Sequence, residues 1–119
     1  MATRYNITSN SSAILPILPD VTYTSANMGA DSDKVDAYIE FYDASGNPAT
    51  PTAGQVFIYG MPMGKNWLPA FGSPLDATTI QANNSNYVPP IMDGLCTYAR
   101  VRFVGVTGVS SASVVIYKR

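Results

Sequence analysis

Residues 35–60 read Val-Asp-Ala-Tyr-Ile-Glu-Phe-Tyr-Asp-Ala-Ser-Gly-Asn-Pro-Ala-Thr-Pro-Thr-Ala-Gly-Gln-Val-Phe-Ile-Tyr-Gly. In the first eight, Val35, Ala37, Ile39 and Phe41 share one parity, and Asp36, Tyr38, Glu40 and Tyr42 the other. Successive side chains of a strand point to opposite faces, so this is a strand with one face buried. Asp43, Gly46, Asn47 and Pro48 then predict a turn, because Gly and Asn accept positive φ and Pro fixes it. A second β-rich run follows at Val56–Tyr59. Two strands and a turn are not stable alone in water, so the rest of the chain must cover the apolar face.

Working outward, the last third repeats the pattern. Thr97, Ala99, Val101 and Phe103 alternate with Tyr98, Arg100, Arg102 and Val104, and Ser113–Lys118 reads as a closing strand. The short turn between them, Thr107-Gly108-Val109-Ser110, predicts that they pair as a hairpin. Upstream, Val21–Thr24 and Ala77–Ala82 read as short strands, with at most one helical turn near Pro74–Ala77. Tyr87–Met92 is extended edge or loop, since Pro89 and Pro90 have no ladder donor. Seven or eight short strands with no amphipathic helix predict an all-β, antiparallel β-sandwich or jelly-roll-like single domain. The expected core is Val35, Ile39, Phe41, Val56, Ile58, Val101, Phe103, Val114 and Ile116.

An extended polar N-terminal arm is expected at the other end. Residues 1–13 are rich in Ser, Thr and Asn, and read either as a free arm or as a strand, Arg4–Thr8, that pairs only on assembly. Ile14-Leu15-Pro16-Ile17-Leu18-Pro19 follows, where two prolines exclude a helix or a central strand. Its aliphatic residues are expected either to cap the domain's own core or to enter a neighbour's groove. The division is therefore an arm over 1–19 and a β-sandwich domain over 20–119.

Composition narrows the function. The chain has 119 residues, enough for one core, and a net charge of −1 that gives no field to draw nucleic acid or an anionic membrane. Charged residues are 13%, about half the usual share, which suits a surface that lies against other protein. No run of 18 apolar residues or signal-peptide core is seen, so synthesis in a cytoplasm is expected, and the Asn6, Asn10 and Asn83 sequons are read as coincidental.

Catalytic and metal chemistry find little footing. The chain has no histidine and one cysteine, Cys96, so an activated nucleophile and a Cys/His zinc site both lack partners. Cys96 reads as a small buried hydrophobe. There is no phosphate-cradling glycine motif. Asp36 and Glu40 lie on one strand face too far apart to act together, and are read as solvated. Asp31-x-Asp33-x-x-Asp36 lacks the spacing of a calcium loop. No enzyme, cofactor or metal is expected.

The polar and aromatic residues point to contact surfaces. Arg100 and Arg102 share a face with Tyr98, and Lys118 and Arg119 are expected on the strand beside it. Such a patch is expected to make an intersubunit contact with Asp36, Glu40 or Asp43 of a neighbour rather than to bind nucleic acid. Trp67, near Met61, Met63 and Phe71 in a Pro/Gly loop, is a core plug or an interface anchor. Outward tyrosines suit either sugar stacking or an interface.

The order of these elements resembles small all-β virion structural proteins of tailed bacteriophages, which decorate the head or complete the tail and its fibres. The resemblance covers residues 35–119 and rests on Asp43-Ala44-Ser45-Gly46-Asn47-Pro48, Thr50-Pro51-Thr52-Ala53-Gly54, the Trp67 loop, the arginine-bearing strand and Gly105-Val106-Thr107-Gly108-Val109. These are turn motifs, so no catalytic residue is implied. What the resemblance implies is a homo-oligomer, often a trimer, made in the host bacterial cytoplasm and located in the virion. Its partners would be copies of itself and the major capsid protein or tail proteins. The expectation is a head decoration or cement protein; the alternative is a tail or tail-fibre module binding host-surface glycan. Interface candidates are Ile14, Leu15, Ile17, Leu18, Trp67, Tyr98, Arg100 and Arg102.

Overall fold

The computed structural model describes residues 3–29, 34–62, 66–69, 73–83, 86–88 and 96–119. Met63, Phe71, Asp31, Asp33 and Pro89–Met92, singled out above, lie outside the described residues. Among the described residues ten strands run in chain order: β1 (Thr3–Asn6), β2 (Leu15–Pro16), β3 (Thr22–Thr24), β4 (Val35–Tyr42), β5 (Ala53–Pro62), β6 (Leu68–Pro69), β7 (Leu75–Asp76), β8 (Asn86–Val88), β9 (Cys96–Thr107) and β10 (Ser111–Lys118). They form two antiparallel sheets. Sheet 1 has the order β1-β10-β4-β8, with β2 also on β10; sheet 2 has the order β3-β9-β5-β6, with β7 also on β5. The radius of gyration, 13.3 Å, matches the roughly 13.5 Å expected of one compact domain of this length.

The sheets stack because the alternating strands turn their apolar parities toward each other. All nine expected core residues are buried, with Leu15, Ile7, Ala37, Ala99 and Ala112 beside them. Phe41 of sheet 1 meets Phe103 of sheet 2 edge-on, with ring centroids 5.7 Å apart, and Tyr23 adds a third ring 6.4 Å from Phe103.

The expected β9–β10 hairpin does not form. Over Ser111–Lys118, β10 pairs with β4, while β9 pairs with β5 from Ala53 to Pro62. Residues 108–110 therefore carry the chain from one sheet to the other, and residues 43–52 do the same between β4 and β5. The reason is energetic: a hairpin would put both apolar faces on one side of one sheet, whereas an arch buries each against the other. The two arches lock together. Ser110 donates its N–H to Tyr42 O at 2.8 Å, Thr52 donates to Thr107 O at 2.9 Å, and the Thr52 and Thr107 hydroxyls meet at 2.8 Å. Asp43 closes the first arch by accepting from the N–H groups of Ser45 and Asn47 at 2.9 and 3.0 Å, with Gly46 at φ +84° between them.

Two further expectations change. The N-terminal residues are extended but not free: β1 lies along β10 of the same chain, Ile7 donates to Val114 O, and Leu15 is fully buried. Residues 77–82 are not a strand; Ala77–Thr79 form a 3₁₀ turn capped by Asp76. The Asp76 carboxylate accepts from the Thr78 hydroxyl at 2.7 Å and the Thr78 N–H at 3.0 Å, a cap that competes with extended backbone. Hydrogen bonds from the Thr78 hydroxyl, then from its N–H, hold the Asp76 carboxyl below the ordinary aspartate range. Its contribution is present above that range and lost as pH falls through the lowered value. Thr78→Val is expected to raise the Asp76 titration midpoint toward the free value in carboxyl-carbon NMR; an unchanged midpoint would refute the hydroxyl's role.

Candidate functional site

Once the inner faces are spent on the core, the two outer sheet faces remain. Their geometry follows from strand parity and register.

On sheet 1, Tyr38, Glu40 and Tyr42 of β4 stand beside Ser113, Val115 and Tyr117 of β10. They border an open hollow of about 520 Å³, with Arg4 and Arg119 at its β1 end. The Tyr38 and Tyr117 rings meet edge to face at 5.3 Å, and the Tyr42 hydroxyl lies 3.2 Å from Ser113 Oγ. Asp36, expected to be solvated, is 1% exposed and bound by the Arg119 guanidinium through both Nε and Nη2. Both nitrogens reach the same carboxylate oxygen, Oδ2, so the buried negative charge is balanced at that atom. Arg119 is itself held by paired backbone hydrogen bonds to Lys34, at 2.7 and 2.9 Å.

On sheet 2, Arg100 and Arg102 project between aromatic rings. The Arg100 guanidinium carbon lies 4.9 Å from the Tyr59 centroid and 4.4 Å from that of Trp67; Arg102 lies 5.2 Å from Phe57. Register produces the stacking, because Tyr59 is the β5 partner of Arg100 and Phe57 that of Arg102. Such cation–π contacts are each worth about 0.5–1 kcal/mol at exposed sites. Trp67 thus neither plugs the core nor stands free; it is half-buried under an arginine. Tyr98, the partner of Met61, is half-buried on the same face.

The expected shared patch of Arg100, Arg102, Lys118 and Arg119 does not exist. Arg119 is on sheet 1. Lys118 points inward at 2% exposure, where its ammonium donates to the carbonyls of Cys96 at 2.8 Å, Met28 at 3.4 Å and Gly29. It ties the 25–29 loop and the start of β9 to the end of β10. Of the Ile14–Leu18 candidates, Leu15 is interior and Ile17 packs against the core, leaving Ile14 and Leu18 exposed at 47% and 48%. Parity found the outer tyrosines and arginines. The Asp36–Arg119 pair was not visible, since it joins residues 83 positions apart.

Cys96 is fully buried, and its Sγ donates to Tyr98 O at 3.0 Å. Burial pushes its thiol above the ordinary value. The neutral thiol is thus favoured by the fold, a contribution present below the ordinary thiol range and lost as pH rises through the elevated one. Aromatic disulfide reagents at pH 8 are expected to react with native Cys96 at least about a hundredfold more slowly than with the urea-unfolded chain. Equal rates would place the thiol at the surface. Among the described residues no group of three or more Asp, Glu, Cys or His is close enough to hold a metal ion, and no helix is long and apolar enough to cross a membrane.

The sequence matches no family model and no curated protein. Among solved structures, the chain is similar to one in the tripod (BppUct-A-L) from the baseplate of bacteriophage Tuc2009, at 12% identity and a TM-score of 0.48, over 99% of this chain and 88% of that one.

Proposed function

We propose that this protein is a bacteriophage virion structural component, a head decoration or cement protein that acts by binding copies of itself and the shell. The observation that carries this reading is the character of the outer faces. Each presents tyrosine and arginine, residues enriched where proteins meet, on a chain with few charges to repel a neighbour. Exposed Ile14, Leu18 and Leu68 add apolar contacts of the same kind. The turn motifs of the two arches support it through their resemblance to phage particle proteins. Sedimentation of the purified chain should show an oligomer, and cryo-electron microscopy of particles should place it on the head. A chain that stays monomeric at high micromolar concentration and ignores heads and tails would overturn the proposal.

The sheet 1 hollow favours a second reading, a tail or tail-fibre module for host-surface glycan. At about 520 Å³ it falls within the range of ligand sites, and it sets tyrosine rings beside a fixed carboxylate and two arginines. A glycan array should then show binding that Tyr117→Ala reduces tenfold or more; Tyr117 is the test residue because it faces the hollow, whereas Trp67 is covered by Arg100. Array signals that persist in this variant would remove the hollow from consideration.

A further inference from the structure

The outer face of sheet 2 holds two positive charges that the described structure leaves unneutralised. Arg100 and Arg102 occupy alternate positions of β9, so their Cα atoms stand about 6.6 Å apart on one face. Neither has a carboxylate partner among the described residues, and the Asp36–Arg119 ion pair lies on the other sheet. Like charges on neighbouring outward positions of one strand repel each other, and the fold keeps both on this face by stacking one on Tyr59 and Trp67 and the other on Phe57. Stacking occupies the flat face of a guanidinium and leaves its N–H edge directed elsewhere. Between them lies a hollow of about 130 Å³ bordered by Thr22, Tyr59, Arg100 and Arg102. That is the space of about four waters, the size of one polar group rather than of a whole ligand. Thr22 is the register partner of Arg102 on the β3 side and adds a hydroxyl donor.

We propose that Arg100 and Arg102 form a binding site for a phosphate group. The number of donors selects the ligand. A carboxylate has two oxygens and is satisfied by one guanidinium fork, whereas a phosphate offers three or four oxygens and up to two negative charges, enough for both forks and the Thr22 hydroxyl. The phosphate is either the free ion or an ester on a saccharide. The site stands independently of any role in a virion.

The test uses the full ¹⁵N-labelled chain and the arginine Nε–Hε signals. Sodium phosphate should shift the Arg100 and Arg102 signals saturably, and sodium acetate should bind at least tenfold more weakly. Arg102→Gln should weaken phosphate binding tenfold or more. Arg102→Lys, which keeps the charge but loses the fork, should weaken it several-fold, and Arg4→Gln on the other sheet should leave it unchanged. Glucose 1-phosphate binding more tightly than phosphate would assign the group to a sugar ester; equal binding would assign it to the free ion. Shifts that sodium chloride reproduces at matched ionic strength, or that acetate matches, would overturn the proposal, as would full phosphate binding in a folded Arg102→Gln chain.

Discussion

Phe103→Ala is expected to lower the unfolding free energy by about 3–5 kcal/mol. Phe103 is 2% exposed on the inner face of β9, and it is the ring through which the sheets touch: Phe41 lies edge-on to it from sheet 1, and Tyr23 packs beside it from β3. Truncation removes the transfer energy of the ring and leaves a void that neither sheet can close, because both are held by their ladders. A domain of this size is stable by roughly 5–15 kcal/mol, so the variant keeps little margin. The neighbouring Val104, 38% exposed on the outer parity, supplies the control. Val104→Ala should change stability by no more than about 0.5 kcal/mol. Urea unfolding followed by tyrosine and tryptophan fluorescence measures both. A loss at Phe103 no larger than that at Val104 would mean the inner faces are not in contact as described.

That contrast between adjacent positions is what the sequence made legible. Period-two alternation identified nine core residues without error, and it assigned Tyr38, Tyr42, Arg100 and Arg102 to outer faces. It also contained the inward direction of Lys118, which follows Val114 and Ile116 at the same parity; reading it as part of a surface patch let its charge override its position. What alternation does not encode is which strand lies beside which. A hairpin and an arch place the same residues on the same parity of β9 and β10, so local pattern favoured the short connection, while burial of two apolar faces favoured the arch. Ala77–Ala82 departs from the expected strand for a local reason: Asp76 and Thr78 offer side-chain bonds that close a 3₁₀ turn in a stretch otherwise suited to extension. The Asp36–Arg119 pair depends on how β4 and the end of β10 lie side by side, a property of the assembled sheet alone.

Gly54→Ala should cost about 2–5 kcal/mol, combining the strain of a side chain at positive φ with overpacking against immovable backbone. Gly54 has φ +110°, and a Cβ there would lie 2.5 Å from both the N and Cα of Val106 and 2.7 Å from the carbonyl carbon of Gly105. All three are main-chain atoms of the facing strand, so no rotamer change relieves the clash. The position coincides with the register shift between Ala53 and Gln55, where β5 bends to enter the arch. Gly46 separates the two causes, because it also has positive φ, +84°, but nothing within 4 Å of its Cβ position. Gly46→Ala should therefore cost only about 1–2 kcal/mol, the conformational part alone. Denaturant midpoints of the two variants decide the matter, and equal losses would deny the close approach of β5 to β9. The consequence reaches the outer face. From this bulge onward β5 is set against β9 so that Phe57 meets Arg102 and Tyr59 meets Arg100. A Gly54→Ala chain that still folds should shift its Phe57 and Tyr59 ring resonances together, because both rings take their arginine partners from the β5–β9 register that follows this bulge.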